Sequence, residues 1–136
     1  MTSPIRAALL LAIFSLACHN SPTSPVDPSS RPHGRLSGVV SIGPNCPVEQ
    51  VGNPCPTPPA AYQARKILVY DAARTRVLFV VDIDSQGLYL IDLVPAKYVI
   101  DFRGSAIDRS SQLPKAVEIT ANSVTRLDVS IDTGIR

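Results

Sequence analysis

The chain has 136 residues with three cysteines and no tryptophan, and its 13 Lys and Arg against 11 Asp and Glu give a net charge of +2. That is enough chain for one modest hydrophobic core. No run of like charge stands anywhere in it, which excludes the clustered basic face that nucleic-acid binding needs and a polybasic stretch for membrane docking.

The N-terminus carries Arg6 and then ten uncharged residues, Ala7 to Leu16. As a helix they reach about 15 Å, half of a hydrocarbon core of about 30 Å, so the pattern predicts a secretory signal over residues 1–17 rather than a membrane span. Ser15 and Ala17 are small residues at the positions that a signal peptidase reads, and Cys18 follows. The arrangement also resembles a bacterial lipobox, with Ser15 and Leu16 in reversed order; either enzyme cuts the same bond. Removing Arg6 with the signal leaves 12 basic against 11 acidic side chains, a net of +1.

Residues 18–34 hold four prolines and little that could fill a core. Such composition cannot offset its ordering entropy by burial, and it predicts an extended tether. With Cys18 acylated, the tether would lift a domain off a membrane at the outer membrane or cell surface. Without acylation the protein would be periplasmic or secreted, with a spare thiol.

From residue 35 to 136 the pattern is of short β-rich segments divided by turn residues, predicting an all-β, seven-stranded sandwich with no helix. The strands expected are Leu36 to Ile42, Arg65 to Asp71, Val77 to Ile83, Leu88 to Leu93, Tyr98 to Phe102, Ala116 to Thr120 and Thr125 to Ile131. Alternation is plain in Tyr98, Ile100 and Phe102 and in Leu127, Val129 and Ile131, with charged or polar residues between them. Val77 to Val81 is apolar on both faces and is expected to be central. The turns Ala72 to Thr75, Asp84 to Gly87 and Val94 to Ala96 read as hairpins in sequence order.

Gly43 to Pro59 separates the first two strands with six prolines and two cysteines. If Cys46 and Cys55 pair, the ring of ten residues constrains the unfolded chain by about 2–3 kcal/mol, and Cys18 is left over. Eight intervening residues are too many for a redox C-x-x-C, and two cysteines without nearby histidine make a poor zinc site. A proline-rich loop held by a disulfide loses little entropy on docking, so Pro47, Val48, Pro54 and Pro56, with Arg136 at the carboxyl terminus, are the expected partner contacts. The terminal Asp132 to Arg136 reads either as a tail tucked against the sandwich, with Asp132 and Arg136 pairing, or as a handle for a partner groove.

No catalytic constellation is visible: no histidine follows His33, and Glu49 and Glu118 lie in different segments. Asp82 and Asp84 flank a glycine turn but lack the further oxygen ligands that calcium requires; they read as a strand residue and a turn cap. No enzyme activity, cofactor or metal is expected.

Asp84-Ser85-Gln86-Gly87-Leu88-Tyr89 and Leu93-Val94-Pro95-Ala96-Lys97-Tyr98 resemble the D-x-x-G-x-[FY] and L-x-P-G-x-Y signatures of carboxypeptidase regulatory-like domains, with Ala96 in place of glycine. The resemblance implies a transthyretin-like (prealbumin-like) sandwich. That fold hosts carriers, linkers, adhesive modules and a few enzymes, so it does not imply an activity. Among those enzymes, the hydroxyisourate hydrolases end in Tyr-Arg-Gly-Ser, which Phe102-Arg103-Gly104-Ser105 echoes internally without the family's histidines. Gly43 to Val48, Asn53 to Pro56 and the terminal Asp-Thr-Gly-Ile-Arg also resemble a group of small exported bacterial proteins.

Two functional classes follow. One is a non-catalytic cell-envelope module that presents loops to a protein or glycan partner, with Tyr62, Tyr70 and Tyr89 as the candidate aromatic platforms. The other is an accessory or carrier domain for a small ligand.

Overall fold

The computed structural model describes residues 31–48, 52, 53 and 55–135. The expected signal, the expected acylation site Cys18 and nearly all of the expected tether lie outside the described residues, as do Pro54 and Arg136.

Strand β1 (Gly34–Gly43) runs through ten residues with every second position turned inward, burying Leu36, Val40 and Ile42. A single helical turn, α1 (Pro59–Gln63), follows the long loop; β2 (Lys66–Asp71), β3 (Val77–Asp82), β4 (Leu88–Leu93) and β5 (Ala96–Arg103) come next. The chain ends with β6 (Lys115–Ile119), β7 (Val124–Arg126) and β8 (Val129–Asp132). In the first sheet β1 lies between β4 on one side and β7 and β8 on the other; the second sheet has the order β3-β2-β5-β6. Ile67 and Val69 of β2, Tyr98 and Ile100 of β5, Ile119 of β6 and Val129 and Ile131 of β8 meet the inner face of β1 in one core.

The all-β sandwich is as expected, and four details differ. The segment Thr125 to Ile131 is two strands, giving eight. Both keep one parallel register on β1, with Ser37 opposite Arg126 and Val40 opposite Val129, so no residue is inserted. The interruption is a rotation of one peptide. The Leu127 carbonyl turns inward and accepts a hydrogen bond from the Tyr89 hydroxyl at 2.5 Å. The Val39 N–H then donates to the Asp128 carboxylate at 2.9 Å.

Gly38 makes room for this. A Cβ there would stand 1.9 Å from the Leu127 oxygen and 3.0 Å from the Tyr89 ring. Burial pushes the Tyr89 phenol well above the ordinary tyrosine range, with the Asp128 charge adding to it.

The second difference is α1, where Pro58 precedes Pro59 at the first helical position; proline's fixed φ suits that position. The third is β3, which is an edge strand and not a central one. Its neighbour in sequence, β4, leaves the sheet because the Asp84 to Gly87 turn delivers the chain to β1, with Val40 N–H donating to the Gly87 carbonyl at 2.7 Å. A doubly apolar run does not distinguish a strand with two neighbours from one whose second edge is open.

The fourth follows from the third. Asp84 to Gly87 and Val94 to Ala96 are crossovers between sheets, and only Ala72 to Thr75 closes a hairpin. The Asp84 carboxylate still caps its turn, accepting from the Gln86 and Leu88 N–H groups at 2.8 Å each, with Gly87 at φ 85°. Ala96 is not a positive-φ position; among the described residues those other than glycine are Arg74 and Asn122.

Three carboxylates are held below their ordinary range by bonds that require the fold: Asp71 by the Thr75 hydroxyl and backbone N–H groups, Asp92 by Arg35, and Asp128 by the Val39 N–H and Arg126. A depressed folded pKa gives stability that is complete above the unfolded value of about 3.9 and is lost as pH falls through the folded value. Thermal midpoints are therefore expected to hold from neutral pH down to about pH 5 and to fall below about pH 4. Asp128→Asn should lower the midpoint at neutral pH and make the acid fall shallower.

Candidate functional site

The two ends of β1 are different places. Gly34 sits beside Leu93 and the Thr120 to Ser123 turn, where Asn122 N–H donates to the His33 carbonyl at 2.8 Å. Gly43 lies opposite Asp132, and around it gather the cysteine loop, α1, the loop from Gly104 to Pro114 and the tail from Thr133. This second, distal end is the candidate site.

Its first element is the Cys46–Cys55 bridge, with the two Cα atoms 6.2 Å apart, joining the residues expected to pair. Asn45 fastens the loop from inside, its amide donating to the Ile42 carbonyl and the Thr57 hydroxyl at 2.9 Å each. The buried Thr133 hydroxyl donates to the Pro44 carbonyl at 2.5 Å, and its N–H reaches the Gly43 carbonyl at 3.1 Å. The loop and the chain's last residues therefore hold each other. Pro47, Val48 and Pro56 are exposed, Val48 at 78 %.

The second element is a buried ion pair that sequence reasoning missed. Arg65, between α1 and β2, forms two parallel bonds with Asp108, Nε to Oδ2 at 2.8 Å and one terminal guanidinium nitrogen to Oδ1 at 2.9 Å. Its other terminal nitrogen donates to the Ala61 carbonyl at 2.8 Å, and Asp108 also accepts from the Ser105 N–H at 2.8 Å. Gly104 permits the approach, since a Cβ there would lie 2.3 Å from an Asp108 oxygen. The Phe102 to Ser105 segment thus serves this clamp. Nothing in spacing pointed to the pair, since 43 residues separate its partners.

Between these elements lies a groove of about 260 Å³, lined by Ile42, Ala61, Arg65, Ile107, Thr133 and Ile135. Ile135 is half-buried there after a bend at Gly134, in keeping with the tucked-tail reading; Arg136, its proposed partner for Asp132, lies outside the described residues. Ile107 is 58 % exposed at the rim.

A larger depression of about 490 Å³ lies on the outer face of the first sheet, lined by Val39, Leu88, Leu90 and Arg126, with Asp82 and Asp84 at one side. Asp82 pairs with Lys66 at 2.6 Å, and Asp84 caps its turn. Among the described residues, no group of three or more His, Cys, Asp or Glu side chains could hold a metal ion. No helix among the described residues is long and apolar enough to cross a membrane.

The tyrosines do not form platforms. Tyr89 is buried, Tyr62 packs half-buried against the core, and half-buried Tyr70 lies under the Arg74 guanidinium, 5.9 Å from its ring centre.

No family model matches the sequence, and no curated protein matches it. Among solved structures, the chain is similar to part of GBS52, the minor pilin of Streptococcus agalactiae, with a TM-score of 0.51 and 13 % identity over 75 % of this chain and 45 % of that one. Weaker likenesses are to a DUF3823 family protein of Parabacteroides merdae (TM-score 0.45, 13 % identity, 74 % of this chain and 46 % of that one) and to the TIE protein of Bacillus anthracis (0.48, 11 %, 74 % and 16 %). The chain spans less than half the length of each. At this identity the pilin likeness shows the fold alone: a two-sheet β-sandwich.

Removing one member of a buried ion pair leaves the other charge unpaired, at a cost of about 3–5 kcal/mol. Arg65→Ala and Asp108→Ala are each expected to lose stability of that order in urea unfolding, and a double Arg65→Met, Asp108→Leu replacement should lose much less. Equal, small losses in all three would show that the clamp is dispensable.

Proposed function

We propose that this chain is a non-catalytic module of the cell envelope, acylated at Cys18, held off the membrane by residues 18–34 and presenting its distal loop end to a protein partner. The observation that carries this reading is the course of β1. The strand begins where the expected tether ends and finishes at the disulfide loop. At about 3.3 Å per residue it sets that loop roughly 30 Å from the point of attachment.

The character of the distal end supports the same reading. Its disulfide, the Asn45 bonds and the Arg65–Asp108 clamp fix the backbone in advance, so docking costs little ordering entropy. Val48 and Ile107 offer apolar contact at its surface. A protein partner is favoured over a glycan because the three tyrosines that could have stacked on sugars are buried or covered. The likeness to part of a minor pilin suits a surface role, and the Asp84 to Tyr89 and Leu93 to Tyr98 motifs suit the carboxypeptidase regulatory-like form of the sandwich.

The depression over Val39, Leu88 and Leu90 supports a second reading, a carrier for a small apolar ligand.

One experiment on the processed protein in intact cells addresses the proposal. A photo-cross-linking residue is placed at position 48 in the distal loop or at position 94 in the opposite turn, and products are read by intact mass. The expected result is a chain starting at an acylated Cys18, joined to one defined envelope protein from position 48 and not from position 94. Capture from position 94 alone, or an unacylated Cys18 with no adduct from position 48, would contradict the reading.

A further inference from the structure

Arg109 is held as a carboxylate-binding arginine is held, and it has no carboxylate. Elsewhere in the chain Arg35 closes on Asp92 with Nε and Nη2 at 2.8 and 2.9 Å. Arg65 closes on Asp108 with the same two donors at 2.8 and 2.9 Å, while its Nη1 is fixed by the Ala61 carbonyl at 2.8 Å. Arg109 repeats the second half of that arrangement. Its Nη1 donates to the Ala106 and Asp108 carbonyls at 2.8 Å each, and Nε and Nη2, the fork that takes a carboxylate side-on, pair with nothing among the described residues.

The residue lies in the loop from Gly104 to Pro114 at the distal end, and its main chain is fixed as well, with N–H and carbonyl both bonded to Asp132 of β8. An exposed arginine ordinarily loses rotamer freedom when it binds; this one is anchored at both ends beforehand. The carboxylates of the same loop and tail are engaged elsewhere, Asp108 by Arg65 and Asp132 by the Gly134 N–H. The two carbonyls that fix the guanidinium stand on either side of Ile107, which is exposed at the rim of the groove over Ile42, Ala61 and Ile135. At about 260 Å³ that groove is below the range of about 300–1,000 Å³ for small-molecule sites, and it has room for an apolar side chain.

We infer that Arg109 is the charged anchor of the distal end, and that the protein docking there offers an acidic side chain beside an apolar one. The carboxylate closes on Nε and Nη2 of Arg109, and the apolar group covers Ile107 and enters the groove. The inference rests on the reading of the distal end as a protein-docking surface and names the chemistry of its partner. A phosphate or sulfate group would fill the same fork but leave Ile107 and the groove uncovered, so the two features together select an acidic protein segment. Arginines so placed are frequent anchors of protein interfaces, where a fixed fork adds direction as well as attraction.

A photo-cross-linking residue at position 106, in place of an exposed alanine, reads contact at this loop in intact cells. In the otherwise unaltered chain it is expected to join one envelope protein, the same one captured from position 48, and tandem mass spectrometry should place the joined residue close to an Asp or Glu with an apolar neighbour. Arg109→Gln should lower the yield from position 106 about tenfold and Arg109→Glu further, each in a chain whose thermal midpoint stays close to that of the unaltered protein. Replacing the mapped acidic residue of the captured protein with arginine should lower capture by the unaltered chain and restore capture by Arg109→Glu, an exchange that a structural role for Arg109 would not produce. A yield undiminished in both variants, an adduct in a segment without acidic residues, or failure of the exchange would overturn the inference. Capture from position 48 with none from position 106 would overturn it alone, whereas capture from neither would contradict the docking surface and the inference with it.

Discussion

One displaced peptide organises this sandwich. Where β7 passes to β8, the Leu127 carbonyl leaves the parallel ladder on β1 and bonds to the Tyr89 hydroxyl across the bare backbone of Gly38. The ladder position that it vacates is filled from outside by the Asp128 carboxylate, which takes the Val39 N–H. Strands β4, β1, β7 and β8 are thereby tied at one level, and the buried Tyr89 hydroxyl and Leu127 carbonyl satisfy each other where either left without a partner would cost about 1–3 kcal/mol. Among the described residues no buried side-chain nitrogen or oxygen lacks a partner.

The rest of the architecture hangs from β1. As the common partner of β4, β7 and β8 it fixes the first sheet, and its inward Leu36, Val40 and Ile42 supply the face on which the second sheet packs. Its length also separates two ends of unlike character. The Gly34 end is bounded by short turns, whereas the Gly43 end gathers the long proline loop, the 104–114 loop and the tail, fastened by a disulfide and a desolvated ion pair. The fastening uses groups distant in sequence, so the distal end is an assembled surface and not a single loop.

Much of this was legible beforehand. Period-two alternation and short apolar runs located β1 to β6 to within a residue or two, because a buried face imposes such a pattern whatever the topology, and they merged β7 and β8 into one strand, because the break at Leu127 leaves the alternation intact. The disulfide and the Asp84 turn cap were visible because their partners are near in sequence. Sheet membership was not: a short turn serves a hairpin and a sheet-to-sheet crossover equally, and the difference lies in Gly87 docking on Val40. Edge position was hidden for a related reason, since an apolar run on β3 records what could cover it and not what does. The Arg65–Asp108 clamp and the Tyr89–Leu127 bond join residues 43 and 38 positions apart, and local pattern carries no trace of such meetings.

The junction at Gly38 is the point on which the description stands, and a single added methyl group addresses it. The unfolding free energy of Gly38→Ala, measured in urea against the unaltered protein, is the direct measurement. The account predicts a loss of about 3 kcal/mol or more, or failure to fold, because the new carbon would occupy the place of the Leu127 oxygen. A change within about 0.5 kcal/mol, the range of an ordinary surface substitution, would contradict it.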